Sequence, residues 1–256
     1  MRIDQRLGTV SQGDSIAAQA AWDQWRVDHG YKPGRPLLSL PGENMKLAKG
    51  ELVTYGLSLA QANTSGTNVC PWSTPSCRAS CVAKNGNGRF SSVPEARTMK
   101  TRFLLAEPEA FCTLLAAEID AAYRKHGKAL RIRLNTFSDI AWERVAPWLF
   151  TGPRRNVRFY DYTKGWDRTP PPNYKLTLSA SERTSSVDIH RAVVQGRNVA
   201  VVLPESRTAP LRMTFEGLRV IDGDKTDNRA DDPRGVVVGL RAKGTMRQEE
   251  RGMVRR

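Results

Sequence analysis

Short apolar runs of β character alternate along most of the chain with polar or helix-like stretches. The β-type runs are Leu130–Thr136, Val157–Tyr162, Tyr174–Ser179, Asn198–Leu203, Leu218–Ile221 and Gly235–Leu240, and residues 37–69 predict a strand pair with a loop, clearest in GELVTYGLSLA. Helical periodicity marks Ile16–Val27, the stretch from Val93 to His126 with a break near Pro108, Ile140–Phe150 and Val187–Val194. Strand–helix alternation of this kind predicts a parallel sheet with helices outside it. At 256 residues the length suits one α/β barrel. The expected fold is therefore α/β, a TIM-barrel-like parallel barrel, incomplete or irregular, carrying a cysteine-containing loop. Pro33 and Pro36 break the chain after the first helix. This divides it into a helical extension (1–35), a barrel-like catalytic domain (36–244) and a basic tail (245–256). No internal repeat is present.

The ends of the runs are polar. They finish in NTFSD, YDYTK, SASER, DGD and RAKG. Charged groups at the carboxyl ends of successive parallel strands gather on one rim, where α/β folds place their active sites. Strands also end in polar residues for no other reason than solvent, but this density favours an enzyme over a passive binding module.

Charge narrows the partner. Forty Lys+Arg against 26 Asp+Glu give a formal +14 and a pI near 10.1, a field that attracts polyanions. RAKGTMRQEERGMVRR is a basic tail, yet Arg131, Arg133, Arg154, Arg155, Arg158, Lys164 and Arg168 carry the charge through the middle. DNA is the expected partner. An apolar content of 39% excludes global disorder. No run approaches the ~18 apolar residues that span a bilayer, and MRIDQRLGTVSQGDS lacks the apolar run of a secretory signal. The expected location is the cytoplasm of a host cell, with no membrane partner.

Three cysteines cluster in Cys70-Pro-Trp-Ser-Thr-Pro-Ser-Cys77-Arg-Ala-Ser-Cys81. In a reducing compartment, clustered thiols bind metal more often than they form disulfides. Four thiolates would suit structural zinc, and three with an open position would suit a cubane iron–sulfur cluster. Cys112 is a candidate fourth ligand, but Phe-Cys-Thr-Leu-Leu on a helix favours the core. Asp139, after a strand and before a helix-like stretch, suits either a helix N-cap or a rim nucleophile or base. Alternation puts Asp161 on one face with Phe159 and Thr163, opposite Tyr160, Tyr162 and Lys164. A buried Asp there must be paired or functional. The stretch from Asp222 to Pro233 fails as a calcium loop, because its twelfth position is Pro233, or Gly235 counted from Asp224, where Glu is required. It suits a solvated acidic turn or an unspecific magnesium site. His29, His126 and His190 show no metal spacing.

The segments PLLSLPGENMKLAKGELVTYGLSLA, VCPWSTPSCRASC, LRIRLNTFSDIAWE, VRFYDYTK, YKLTLSASER and IDGDKTDNRADDPRGVVVGLRAKG together resemble a family of bacteriophage proteins, especially from phages of actinobacteria, designated by gene-product number. A more distant likeness is to phage proteins grouped with radical S-adenosylmethionine enzymes. These pair a cysteine triad with a strand ending in Ser-Asp and another ending in Thr-Lys. Cys70, Cys77 and Cys81, Ser138-Asp139 and Thr163-Lys164 match that order, with a spacing different from the usual three-then-two triad. Another likeness is to the tRNA-guanine transglycosylase-like barrels with which phages place 7-deazaguanine in their DNA. Their zinc pattern of three cysteines and a histidine is not reproduced here.

The first expectation is a phage enzyme that exchanges guanine in DNA for a 7-deazaguanine base, which would protect the DNA from host restriction. Asp139 and Asp222 would form its carboxylate pair, with Asp161 in reserve. Lys164, Arg241, Lys243 and Arg158 would hold phosphates, and zinc would sit on Cys70, Cys77 and Cys81. The second expectation puts an iron–sulfur cluster with S-adenosylmethionine on those cysteines. The third is a non-catalytic, zinc-containing DNA-binding protein.

Overall fold

Two capping boxes and one proline set the main helices. The computed structural model describes residues 9–39, 52–84, 92–243, 246–247 and 252–255. Helix α1 (Gln12–Asp28) starts where Ser11 Oγ accepts from the Asp14 N–H and the Asp14 carboxylate accepts from the Ser11 N–H. A short helix α2 (Pro75–Ala79) lies in the cysteine loop. Between α3 (Ser92–Ala106) and α4 (Pro108–His126) the helix breaks at Pro108, which has no N–H to continue it. Pro147 likewise cuts the expected helix Ile140–Phe150 to α5 (Trp142–Val145) and a 3₁₀ turn. Helix α6 (Ser186–Val194) carries the second capping box, Ser185 with Asp188.

The strands are β1 (Leu38–Ser39), β2 (Val53–Leu57), β3 (Leu130–Arg133), β4 (Arg158–Thr163), β5 (Tyr174–Ser179), β6 (Val199–Leu203), β7 (Thr214–Phe215), β8 (Leu218–Asp222) and β9 (Val237–Arg241). They form one nine-stranded sheet in the order β1-β2-β3-β4-β5-β6-β9-β8-β7. β1 and β7 pair antiparallel with β2 and β8, and every other pairing is parallel. The parallel α/β architecture is as expected. The barrel-like closure, expected as incomplete or irregular, is not found: among the described residues β1 and β7 are edges, and the sheet is open. β3 also stops at Arg133 rather than Thr136, because the Asn135 N–H turns out of the ladder to Asp161 Oδ1.

Alternation sorts the strands into two unlike faces. On one face Leu130, Ile132, Phe159, Tyr174 and Leu176 pack with Trp22, Phe103, Phe111 and Leu115 into the main core. Trp22 of α1 is fully buried there, so the expected N-terminal extension belongs to this core. A second cluster under β5, β6 and β9 takes Ile189 and Val193 of α6. The opposite face presents Arg131, Arg133, Tyr160, Tyr162, Lys175 and Thr177, mostly buried.

The return from β8 to β9 covers this polar face. It runs back towards β6, against the direction of β2 to β6. A right-handed parallel connection in that direction lies opposite the helices. Its contacts place it there. Asp231 takes Arg131 with two bonds, 2.9 and 3.1 Å. Asp227 pairs with Arg133, Asp231 also with Arg158, and the Asp232 carbonyl accepts from Lys175. The expected solvated turn is thus a crossover that supplies counter-charges to buried cations. Segment 246–255, expected as a basic tail, contributes Met246, Met253 and Val254 to a small apolar cluster with Ala242, Val202 and Cys77. Residues 245, 248–251 and 256 of the expected tail lie outside the described residues, as do residues 1–8, 40–51, 85–91 and Gly244.

Arg131 is 5% exposed, so losing its partner leaves a buried, uncompensated charge. Asp231→Asn should lower unfolding stability by about 2 kcal/mol, a value reduced from the fully buried case because Asp231 itself is partly exposed. The double variant Arg131→Met/Asp231→Asn should be more stable than Asp231→Asn alone in denaturant melts. Equal stabilities would mean that the ion pair does not hold the crossover.

Candidate active site

The carboxyl ends of β2 to β5 converge beneath the cysteine loop. Four anchors hold that loop down. The Asp139 N–H donates to the Val69 carbonyl at 2.9 Å, one residue before Cys70. Cys70 lies with its Sγ 3.6 Å from the Phe137 carbonyl. Glu182, just past β5, accepts from Thr74 Oγ1 at 2.7 Å and from the Ser76 N–H at 3.1 Å, fixing the start of α2. Burial works against the Glu182 carboxylate, but these bonds hold it below the usual range. Trp72 packs on Gly165 at the end of β4. A Cβ at Gly165 would come within 2.9 Å of the indole and of the Arg168 side chain, so glycine is required for this approach.

Cys70 is buried, Cys77 and Cys81 are half-buried, and no disulfide joins them. The three thiols interact electrostatically. Burial first, then Asp139 and the other two thiols, pushes Cys70 up to about 12 against the Ala62 N–H that donates to its Sγ. Arg97 of α3 is buried beside Cys81, with its guanidinium 3.8 Å from the Phe137 ring centre and a bond to the Ala83 carbonyl. Among the described residues, no three His, Cys, Asp or Glu side chains converge as a single metal ion requires. Cys112 is fully buried in the main core on α4, as its helical context suggested.

Asp139 does not cap α5, whose N-cap is Ala141. Its Oδ2 accepts from the Lys164 N–H at 2.8 Å and its Oδ1 from Arg168 at 3.0 Å. Burial raises its pKa, and those donors oppose the rise. Arg168 is clamped by Glu143 as well and bonds the Tyr174 hydroxyl, which donates to Asp161 Oδ2 at 2.7 Å. Asp161 is fully buried and also accepts from the Asn135 N–H at 2.8 Å. Asp139 and Asp161 therefore share one network through Arg168 and Tyr174.

Asp222 stands apart. Four strands separate β3 from β8 in the sheet, and Asp222 binds Arg241 at 3.1 Å. Asp224 takes Arg241 too and pairs with Lys243. Arg241 spends its remaining donors on the Ala209 carbonyl, and Arg158 pairs with Asp231. Of the four cations expected to hold phosphates, Lys164 is the one at the rim beside the cysteine loop, where it donates to Ser179 Oγ at 2.8 Å. Sequence reasoning missed Trp72, Arg97, Gly165 and Glu182. Trp72 and Glu182 lie in segments already quoted, the cysteine loop and SASER, but their contacts, and the approach of Arg97, Gly165 and Glu182 to the cysteine loop, come only from the fold.

Burial raises Asp161 to about 7, opposed first by Arg133. A carboxylate raised in the fold stabilises fully below its unfolded value near 4 and loses that contribution as pH rises through 7. Wild-type stability should fall from pH 4 to pH 7 relative to Asp161→Asn, as read by circular dichroism in denaturant. A constant difference across that range would show that Asp161 stays ionised in the fold.

Among the described residues no helix is long and apolar enough to cross a membrane. No curated protein and no solved structure matches the chain. The family model named Gene product 88 matches residues 36–256, and the chain belongs to the Gene product 88 family.

Proposed function

We propose that this protein is an iron–sulfur enzyme of the radical S-adenosylmethionine type that acts on DNA. The observation that carries the reading is the placement of Cys70, Cys77 and Cys81 on one anchored loop over the carboxyl ends of the parallel strands. Three thiolates suit a soft metal. Tetrahedral zinc, with Zn–S near 2.3 Å, would draw its sulfurs to within about 3.8 Å of one another. A cluster takes each thiolate at a different iron and holds them further apart than one zinc ion does. When bound, such a cluster supplies one-electron chemistry to a ligand at its open iron.

The chain's own residues then have definite tasks. Cys70, Cys77 and Cys81 hold the cluster, which requires loss of their protons and makes loading pH-dependent. Glu182, Gly165 and the Asp139 backbone keep the loop seated. Arg97 offsets negative charge next to Cys81. Lys164 and Ser179 offer a cation and a hydroxyl at the rim for an anionic part of the substrate. The excess of cations supports DNA as the macromolecule acted on.

Exchange of guanine for a 7-deazaguanine is supported less well. It asks for two carboxylates facing one sugar: Asp222 sits in a separate ion-paired cluster from Asp139, and Asp161, which shares a network with Asp139, is fully buried.

Reconstitution with iron and sulfide under anaerobic conditions should give a brown protein with a broad charge-transfer band. Cys70→Ala, Cys77→Ala and Cys81→Ala should each lose the band, and Cys112→Ala should keep it. Gly165→Ala should fold but load several-fold less iron, because its Cβ displaces Trp72. A colourless product that binds stoichiometric zinc instead would contradict the proposal.

A further inference from the structure

We propose that residues 252–255 form a clasp on the cysteine loop that governs access to Cys77, with Arg255 as the positioning residue that fastens it. Its contacts are those of the metal-free thiol, so the clasp does not rest on the iron–sulfur reading.

The segment takes a place that the sheet leaves open. β5 pairs with β6 only as far as Ala200. Beyond it, Val254 forms a parallel bridge with Val202, and the Arg255 N–H donates to the Val202 carbonyl at 2.8 Å. Gly252, at a φ of +92°, makes the turn into this bridge, in a conformation that residues with a Cβ rarely adopt. Val201 and Leu203 face α6 in the second core, so alternation gives Val202 to the opposite face. There Met253 and Val254, 5% and 8% exposed, join Ala242 and Met246 in the small apolar cluster against which Cys77 packs.

Arg255 ties this cover to the seat of the loop. Its Nη2 donates to the Ser181 carbonyl at 2.7 Å and to the Thr184 carbonyl. Between those two residues stands Glu182, whose carboxylate accepts from Thr74 Oγ1 and from the Ser76 N–H, one residue before Cys77. One guanidinium thus steadies the turn that holds α2, while the two residues before it cover the thiol. The attachment is nevertheless slight. Arg255 Nε is buried with no acceptor among the described residues, which costs stability only while the segment is closed. Segments fastened by few buried apolar groups open locally without unfolding the whole chain. Opening uncovers Cys77 and leaves Cys112 buried in the main core. A metal ion or an oxidant reaches Cys77 through that open form.

The test is alkylation of the metal-free full chain by iodoacetamide without oxygen, each cysteine being followed by mass spectrometry. Wild-type Cys77 should react several-fold more slowly than in protein unfolded by guanidinium. Arg255→Ala should speed its labelling about tenfold, the scale of losing bonds from a charged donor. Arg255→Lys keeps a charged donor and should recover part of the protection. A chain lacking residues 252–256 should label at Cys77 at least as fast as Arg255→Ala. Cys112 should stay protected in every variant, which separates release of the clasp from unfolding of the chain. Cys77 rates unchanged in Arg255→Ala and in the shortened chain, or Cys112 rates that rise in step with those of Cys77, would overturn the proposal. No metal enters the assay, so failure here is distinguishable from failure of the iron–sulfur reading.

Discussion

A buried guanidinium cannot remain without a counter-charge, and the inward-facing cations of β3 impose that condition on this fold. Arg131 and Arg133 alternate with Leu130 and Ile132, so packing those apolar residues against the helices forces the arginines to the other face. The β8–β9 crossover meets the condition by laying Asp227 and Asp231 over them. Its path on that face follows from the handedness of parallel connections once the chain reverses direction beyond β6. One electrostatic requirement and one topological rule thus account for the polar face and for what covers it.

The same arrangement explains why net charge was a poor guide to individual residues. Arg158, Arg241 and Lys243 contribute fully to the +14, yet each has a carboxylate partner from the acidic stretch between Asp222 and Asp232. In the sequence, Arg131 and Asp231 are a hundred positions apart, and nothing local links them. By contrast, Tyr174–Ser179 was legible to the residue, because four of its six positions are apolar or β-branched and turns bound the segment. The break at Pro108 was equally local. Closure was not legible: strand periodicity says how many elements alternate, but edge pairing depends on contacts among distant segments.

The site shows the same division. The cysteine triad announced itself through spacing, and Cys112 through its helical context. The groups that seat the loop did not. Glu182 reaches Thr74 over more than a hundred positions, and the need for glycine at Gly165 exists only because Trp72 lies against it. Asp161 gave a partial signal: a carboxylate within an apolar strand had to be paired, and its partners are Asn135 and Tyr174. The resulting network joins β4 to Asp139 and so to the strand ends beneath the cysteines.

What occupies that loop decides the account. X-ray absorption at the iron and zinc edges, on protein isolated without oxygen, distinguishes the cases directly. The account predicts iron with sulfur neighbours and a second shell of iron, the signature of a multi-iron cluster. A zinc edge with four light or sulfur neighbours and no metal–metal shell would contradict it.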